Sequence, residues 1–439
     1  MVKRRWSVVT CSALVAACNV SPVSPTAGDT RLPQADGSAG DAATPGDAAL
    51  GDAATTGDAP LGDAATAGDA GACPSALVVA SSDYTSTNVS VLTPTGGAAS
   101  ESILSSGSAP PGLSTALSGD VVLPVAPTPG EVVLIDRYPN AVLTFVDPSS
   151  RAVRQMSVST GFASNPHDYV QLSANKAYVT RYESNPNAGQ SADDGGGDLL
   201  VIDPQALTIT GRVPFPTEGS ILPRPDRMLL VGGELWVALG RVDANFMNAG
   251  DGRVVGVSTA DDTITWTLDL PGLANCGAMA RAPAGDVVAV SCAGQSTDPD
   301  PASRSAIVLV DPTVSPPVEK KRFSAASLAG APLAPSLVAF ASDSVLVAVA
   351  LGDVSVMRDD VAVAIDLAAG SAHVLLDAGA PFALGDVHCA PGCTDLCMLA
   401  DAQAKALRVW KATGSSLVAQ APVNVDPSIG LPPRYIGAF

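Results

Sequence analysis

Ala177-Tyr178-Val179-Thr180-Arg181 and, after a Gly- and Asp-rich interval, Leu199-Leu200-Val201-Ile202-Asp203-Pro204 are short apolar, β-branched runs bounded by turn-formers. Runs of this length and composition read as strands. The pair comes back along the chain. Leu235-Trp236-Val237-Ala238-Leu239 precedes Arg253-Val254-Val255-Gly256-Val257, and Asp286-Val287-Val288-Ala289-Val290 precedes Ala306-Ile307-Val308-Leu309-Val310-Asp311-Pro312. Val345-Leu346-Val347-Ala348-Val349 precedes Val361-Ala362-Val363-Ala364-Ile365-Asp366. The period is roughly 50 to 60 residues, a spacing that signals repeated supersecondary units. Each unit reads as strand, tight turn, strand, variable loop, strand, turn, strand. Four antiparallel strands of this kind cannot bury both faces alone, so the units stack radially as blades of an all-β propeller.

Segments that begin an innermost strand fall near Gly112, Pro166, Pro225, Ala274, Pro335, Leu384 and Pro432, which makes seven blades. The first blade opens with only three strands, Ala76 to Ser82, Asn88 to Leu92 and Ser100 to Leu104, while Leu431 to Phe439 is a first strand with no blade after it. The C-terminal strand is therefore expected to complete the N-terminal blade, closing the ring and removing two open edges. Blade 2, residues 112 to 160, is expected to hold an extra strand.

The Tyr-Val-Thr element followed by Val-Ile-Asp-Pro resembles the YVTN-type β-propellers of bacterial surface proteins, over most of residues 112 to 439. Arg181 stands where that signature has Asn. The resemblance implies a fold and an exported setting, and no particular chemistry.

The N-terminus supplies an address. Lys3-Arg4-Arg5 and the apolar stretch Trp6 to Ala17 have the form of an export signal, and Val15-Ala16-Ala17-Cys18 resembles a bacterial lipobox. That resemblance implies cleavage after residue 17 and acylation of Cys18, whose buried methylenes would hold the chain to a membrane. An ordinary cleaved signal, leaving a periplasmic or secreted protein, is the alternative. Asn19 after the Cys leans towards the outer membrane or cell surface. Residues 40 to 72 are three copies of an 11-residue unit carrying two Gly-Asp-Ala triplets each, with almost no large apolar side chain. Such a segment has too little to bury to fold. Residues 18 to 72 read as a disordered linker with a reach of about 40 Å. The organisation is signal (1 to 17), linker (18 to 72) and propeller (73 to 439).

From Cys73 onward the chain has 20 Lys and Arg against 35 Asp and Glu. That balance argues against nucleic acid as a partner, because phosphates bind basic surfaces. Six cysteines remain in the exported domain, Cys73, Cys276, Cys292, Cys389, Cys393 and Cys397, and an oxidising compartment implies disulfides. In the blade frame Cys276 and Cys292 face each other across a hairpin. Cys389 and Cys397 bracket the equivalent turn of blade 7, with Cys393 at its tip, and Cys73 lies on the same face. A bridge from Cys73 to this cluster would clasp the ring. The alternative reading of Cys389, Cys393 and Cys397 with His388 is a metal site.

Loops between second and third strands, and those leading into the innermost strands, share one face of a propeller. Long loops there, Tyr182 to Asp198, Arg241 to Gly252 and Gly294 to Arg304, carry Asp193, Asp194, Asp198, Asp243, Asp251, Asp298 and Asp300. Carboxylates on Gly-rich loops suit Ca²⁺, although none has EF-hand spacing, and solvated polar loops are the plainer reading. No other cofactor is expected. At the channel mouth the candidates are His167, Asp168, Asp226, Asp386 and Arg434. Their carboxylates either attract a ligand or cap backbone N–H groups between blades. His167 beside Asp168 would be half of an acid–base pair like that of propeller lyases. No Gly-x-Ser-x-Gly, Walker or His-Glu-x-x-His motif is present. The expected function is a lipid-anchored, non-catalytic scaffold that presents its loops to an envelope protein or glycan. The alternative is an exported lyase or hydrolase with its site at the channel mouth.

Overall fold

A computed structural model describes residues 73–439, with nothing to be said of the side chains at 98–101. The signal, Cys18 and the linker lie outside the described residues. Seven antiparallel sheets of four strands each form the blades of a propeller. Second and third strands such as Glu234–Leu239 and Gly252–Ser258 are buried along almost their whole length, because each blade is covered on both faces by its neighbours. Outer strands break this pattern. Val318–Ser324 exposes five of its seven residues and carries Lys320, Lys321 and Arg322, charges that protect an open edge from further pairing.

The first blade is completed from the other end of the chain. Its order is Pro433–Ala438, Leu77–Ser82, Thr87–Leu92 and Ala98–Ser105, with Leu77 opposite Ala438 and Val79 opposite Ile436. Ser75 and Ala76 N–H groups donate to the Phe439 carbonyl, and Ser82 N–H donates to Pro432. Packing between blades fills the rest of the core. Between blades 4 and 5, Trp236 and Trp266 meet edge to face at 4.9 Å within a cluster that includes Met279, Val288 and Cys276.

Blade 2 departs from expectation, because it has four strands and no extra one. Its inner strand is only Val121–Val122, followed by Val132–Asp136, Val142–Val146 and Val153–Ser157. Residues 112 to 120 do not form a strand. Gln155 Oε1 accepts from the N–H groups of Ser114 and Thr115, which ties that polar stretch across the outer strand. Pro124 follows shortly after and lacks the N–H that would extend the ladder.

Three disulfides join Cys73 to Cys393, Cys276 to Cys292 and Cys389 to Cys397. The first ties the residue preceding blade 1 to the tip of the inner hairpin of blade 7. With all six sulfurs paired, Cys389, Cys393 and Cys397 offer no thiolates, which corrects the metal reading. Among the described residues, no helix is long and apolar enough to cross a membrane.

Candidate functional site at the channel mouth

Six of the seven inner strands begin with an irregularity that takes residues out of the ladder. In blade 3, Pro166 pairs with Arg181 and Tyr169 with Val179, so His167 and Asp168 together oppose Thr180. In blade 4, Asp226 and Arg227 together oppose Ala238. Gly385 and Asp386 do so in blade 7, and Gly277 and Arg434 are the extra residues of blade 5 and of the closing strand. A bulge of this kind re-aims side chains out of the sheet plane. Here it turns them to the axis, since Arg227 of blade 4 donates to the Leu123 carbonyl of blade 2, a blade it does not adjoin.

His167 pairs with the next blade. Its Nδ1 lies 2.8 Å from Asp226 Oδ1, and its ring stacks on Tyr182 with centroids 4.2 Å apart. The expected partner, the adjacent Asp168, is turned away from it. Burial holds the His167 pKa below the ordinary histidine value, outweighing the Asp226 carboxylate, so the imidazole is neutral at neutral pH. Asp168 is fully buried and accepts from the N–H groups of Val125, Tyr169 and Met228, which belong to three successive blades. Burial pushes its carboxyl up to about 6, against the pull of Arg227 at 3.7 Å. Asp386 accepts from Val387 and Ile436 N–H, linking blade 7 to the closing strand, and burial pushes it up to about 6 as well. Arg434 donates to the Phe382 carbonyl and lies 4.8 Å over the Tyr84 ring.

Sequence reasoning missed three arginines here. Arg227 also donates to the His167 carbonyl. Arg137 forms a close ion pair with Asp120 and donates to Tyr435 Oη. Arg224, almost wholly buried, lies between the rings of Tyr182 and Phe246 at 4.9 and 4.3 Å and pairs with Glu183. The available signal was the parallel between Pro166-His167-Asp168 and Pro225-Asp226-Arg227, which places Arg227 where Asp168 stands one blade earlier.

The Ca²⁺ candidates do not converge. Asp198 is buried in a two-pronged pair with Arg181, both bonds 2.8 Å, and Arg212 adds a third contact. Asp194 accepts from the N–H groups of Gly189, Gln190 and Ser191, and Asp193 turns its carbonyl to Arg181. Asp243 accepts from Met247 N–H and Asn248, and Asp300 caps Ala302. Among the described residues, no group of three or more His, Cys, Asp or Glu could hold a metal ion. Arg181, where the signature has Asn, thus braces a loop from inside.

No family model matches this chain, and no curated protein matches it. Solved structures do resemble it. A candidate 6-phosphogluconolactonase from Bacteroides fragilis superposes with a TM-score of 0.54 at 9% identity, over 83% of this chain and 97% of that one. One from Bacteroides uniformis gives 0.54 at 12%, over 83% and 99%. The periplasmic gluconolactonase of Pseudomonas aeruginosa gives 0.51 at 14%, over 82% and 98%. The chain is a seven-bladed β-propeller. At these identities the likeness shows the fold alone, and activity has to be argued from the site.

Proposed function

We propose that this protein is a lipid-anchored, non-catalytic envelope protein whose propeller docks a protein partner on the loops of blades 3 to 5. The observation that carries this reading is the knitting of those loops into one ridge. Gln295 Nε2 donates to the Phe246 carbonyl at 2.7 Å and Thr297 Oγ1 to Met247 at 2.9 Å, while Arg304 reaches the Ala249 and Gly250 carbonyls. Tyr182, Arg224 and Phe246 extend the contact into blade 3. Met247 stands at the crest, 57% exposed. A preordered surface loses little entropy on binding, and an exposed apolar side chain on braced loops suits a contact with another protein. The test has two arms. Cys18→Ser should abolish incorporation of a labelled fatty acid, and continued labelling would sink the anchor. Met247→Asp should abolish co-purification of a stoichiometric envelope protein, whereas recovery of the same complex would sink the ridge.

A second reading, an exported hydrolase, is favoured by one observation. Asp226 holds His167 through Nδ1, and among the described residues Nε2 has no hydrogen-bond partner, the arrangement of a general base. Two of the structural neighbours are named as 6-phosphogluconolactonases and one as a gluconolactonase. Hydrolysis of glucono-δ-lactone that disappears in His167→Gln would establish it. Rates equal to those of the buffer would leave the dyad a structural bond.

A further inference from the structure

The part of the mouth formed by blades 1 and 2 differs from the ridge in kind. The chain has only six tyrosines, and four of them, Tyr84, Tyr138, Tyr182 and Tyr435, gather around this mouth. Tyr182 and Tyr435 belong to the inner network. Tyr84 and Tyr138 do not, and the two residues are 51% and 42% exposed.

Their positions are fixed from below. Both stand on loops between second and third strands, and both loops lean on residues 118 to 120. A Cβ at Gly119 would lie 2.2 Å from the Tyr84 carbonyl carbon, so that close approach requires glycine. Ser82 Oγ donates to the Gly119 carbonyl, and Ser118 Oγ donates to the Tyr138 carbonyl. Planar, fixed hydrogen-bonding groups stand beside them: the Arg434 guanidinium stacks on the Tyr84 ring, and the partly exposed Arg137–Asp120 pair adjoins Tyr138, whose backbone N–H donates to Asp120.

We propose that this rim is a platform for a neutral saccharide. A pyranose ring offers an apolar face of C–H groups and an equatorial belt of hydroxyls. An exposed tyrosine covers the face at little entropic cost, and guanidinium and carboxylate groups pair with the hydroxyls. The surrounding charge decides which saccharides fit. A domain with 35 acidic against 20 basic residues repels uronic or phosphorylated sugars. Binding here is by an open surface with preset groups, so it needs no closing lid.

This site lies apart from the ridge on blades 3 to 5, so the two proposals fail separately. The test is titration calorimetry of the purified protein with chitotetraose and cellotetraose, and with tetragalacturonate as the acidic counterpart. At least one neutral tetrasaccharide should bind saturably and more tightly than the uronate. Tyr84→Ala with Tyr138→Ala should weaken it by about tenfold or more, and the corresponding Phe pair by less than about threefold. Should the double variant melt early, Tyr138→Ala alone carries the comparison. Met247→Asp should leave the affinity unchanged. The proposal is overturned if neither neutral probe binds, if the uronate binds better, or if the Ala pair binds as well as the native protein. A loss with the Phe pair as large as with the Ala pair would also overturn it, because hydroxyls and not ring faces would then hold the ligand.

Discussion

The inner strands of blades 3 and 4 and those of blades 5 and 6 share a frame and carry opposite loads. All four open with a break in register, yet the first two put His167, Asp168, Asp226 and Arg227 into the channel, and the other two bring Gly277 and the Pro335 carbonyl up against Asp226, while Leu337 turns into the core. The quiet side exists partly to make room for the loaded one. A Cβ at Gly277 would lie 2.6 Å from Asp226 Oδ2 and 2.8 Å from the Pro335 carbonyl. The backbone device is therefore independent of what it presents. Side chains on one half of the axis act as ties between blades, and absence of bulk on the other half lets those ties form.

The largest expected effect comes from breaking the loaded half. Arg227→Met removes the cation facing Asp168 and releases two carbonyls, and unpairing a buried charge costs about 3 to 5 kcal/mol. Denaturant unfolding should show it. A loss comparable to that of Ser336→Ala would mean that the arginine is not a tie. Gly277→Ala presses on Asp226, the partner of His167, from the quiet half, and overpacking should cost about 1 to 3 kcal/mol. Native stability in that variant would refute the argument from close approach.

Smaller effects follow from pH. The Asp168 and Asp386 carboxyls, raised by burial to about 6, bind protons in the folded state that the unfolded chain has released above about pH 4. Their contribution to stability is thus fully present at low pH and lost as pH rises to about 6. Asp168→Asn should flatten that decline, and an unchanged slope in melting temperature between pH 4 and 7 would contradict it. His388 has the reverse sign. Burial pulls its pKa down to about 4, and its Nε2 has no hydrogen-bond partner, so it costs stability as pH falls from about 6.5 towards 4. The advantage of His388→Leu over the native protein should accordingly grow on acidification, and an advantage independent of pH would show that the ring is not titrating.

Much of this architecture is legible before folding. Val287 to Val290, Ala306 to Val310 and their counterparts repeat because every blade needs two strands buried on both faces, and that need is written in local composition. Ring closure is legible for a related reason, since Pro432 to Phe439 is a strand lacking a blade. Blade 2 was misread because the polar residues 112 to 120 stand at the distance where an inner strand belongs. Only their anchoring to Gln155 reveals a loop.

The candidate site was half legible. His167, Asp168, Asp226 and Asp386 can be picked out by their place after a strand start. Their partners cannot, because a bulge counts two residues against one and so decides which neighbour a side chain reaches. Asp226 rather than Asp168 thus meets His167, and Arg227 reaches two blades away. The acidic loops read as polar from the sequence, but the tie of Arg181 to Asp198, its direct partner across the strands, needs the ladder register to be seen.

Composition and periodicity alone determined that this chain is an all-β propeller of seven blades with its last strand in its first sheet, because burial patterns are local and additive along the chain. Which polar groups meet on the axis was decided only by the closed ring. Radial stacking brings together residues tens to hundreds of positions apart, and their pairing depends on register and twist that no local pattern encodes.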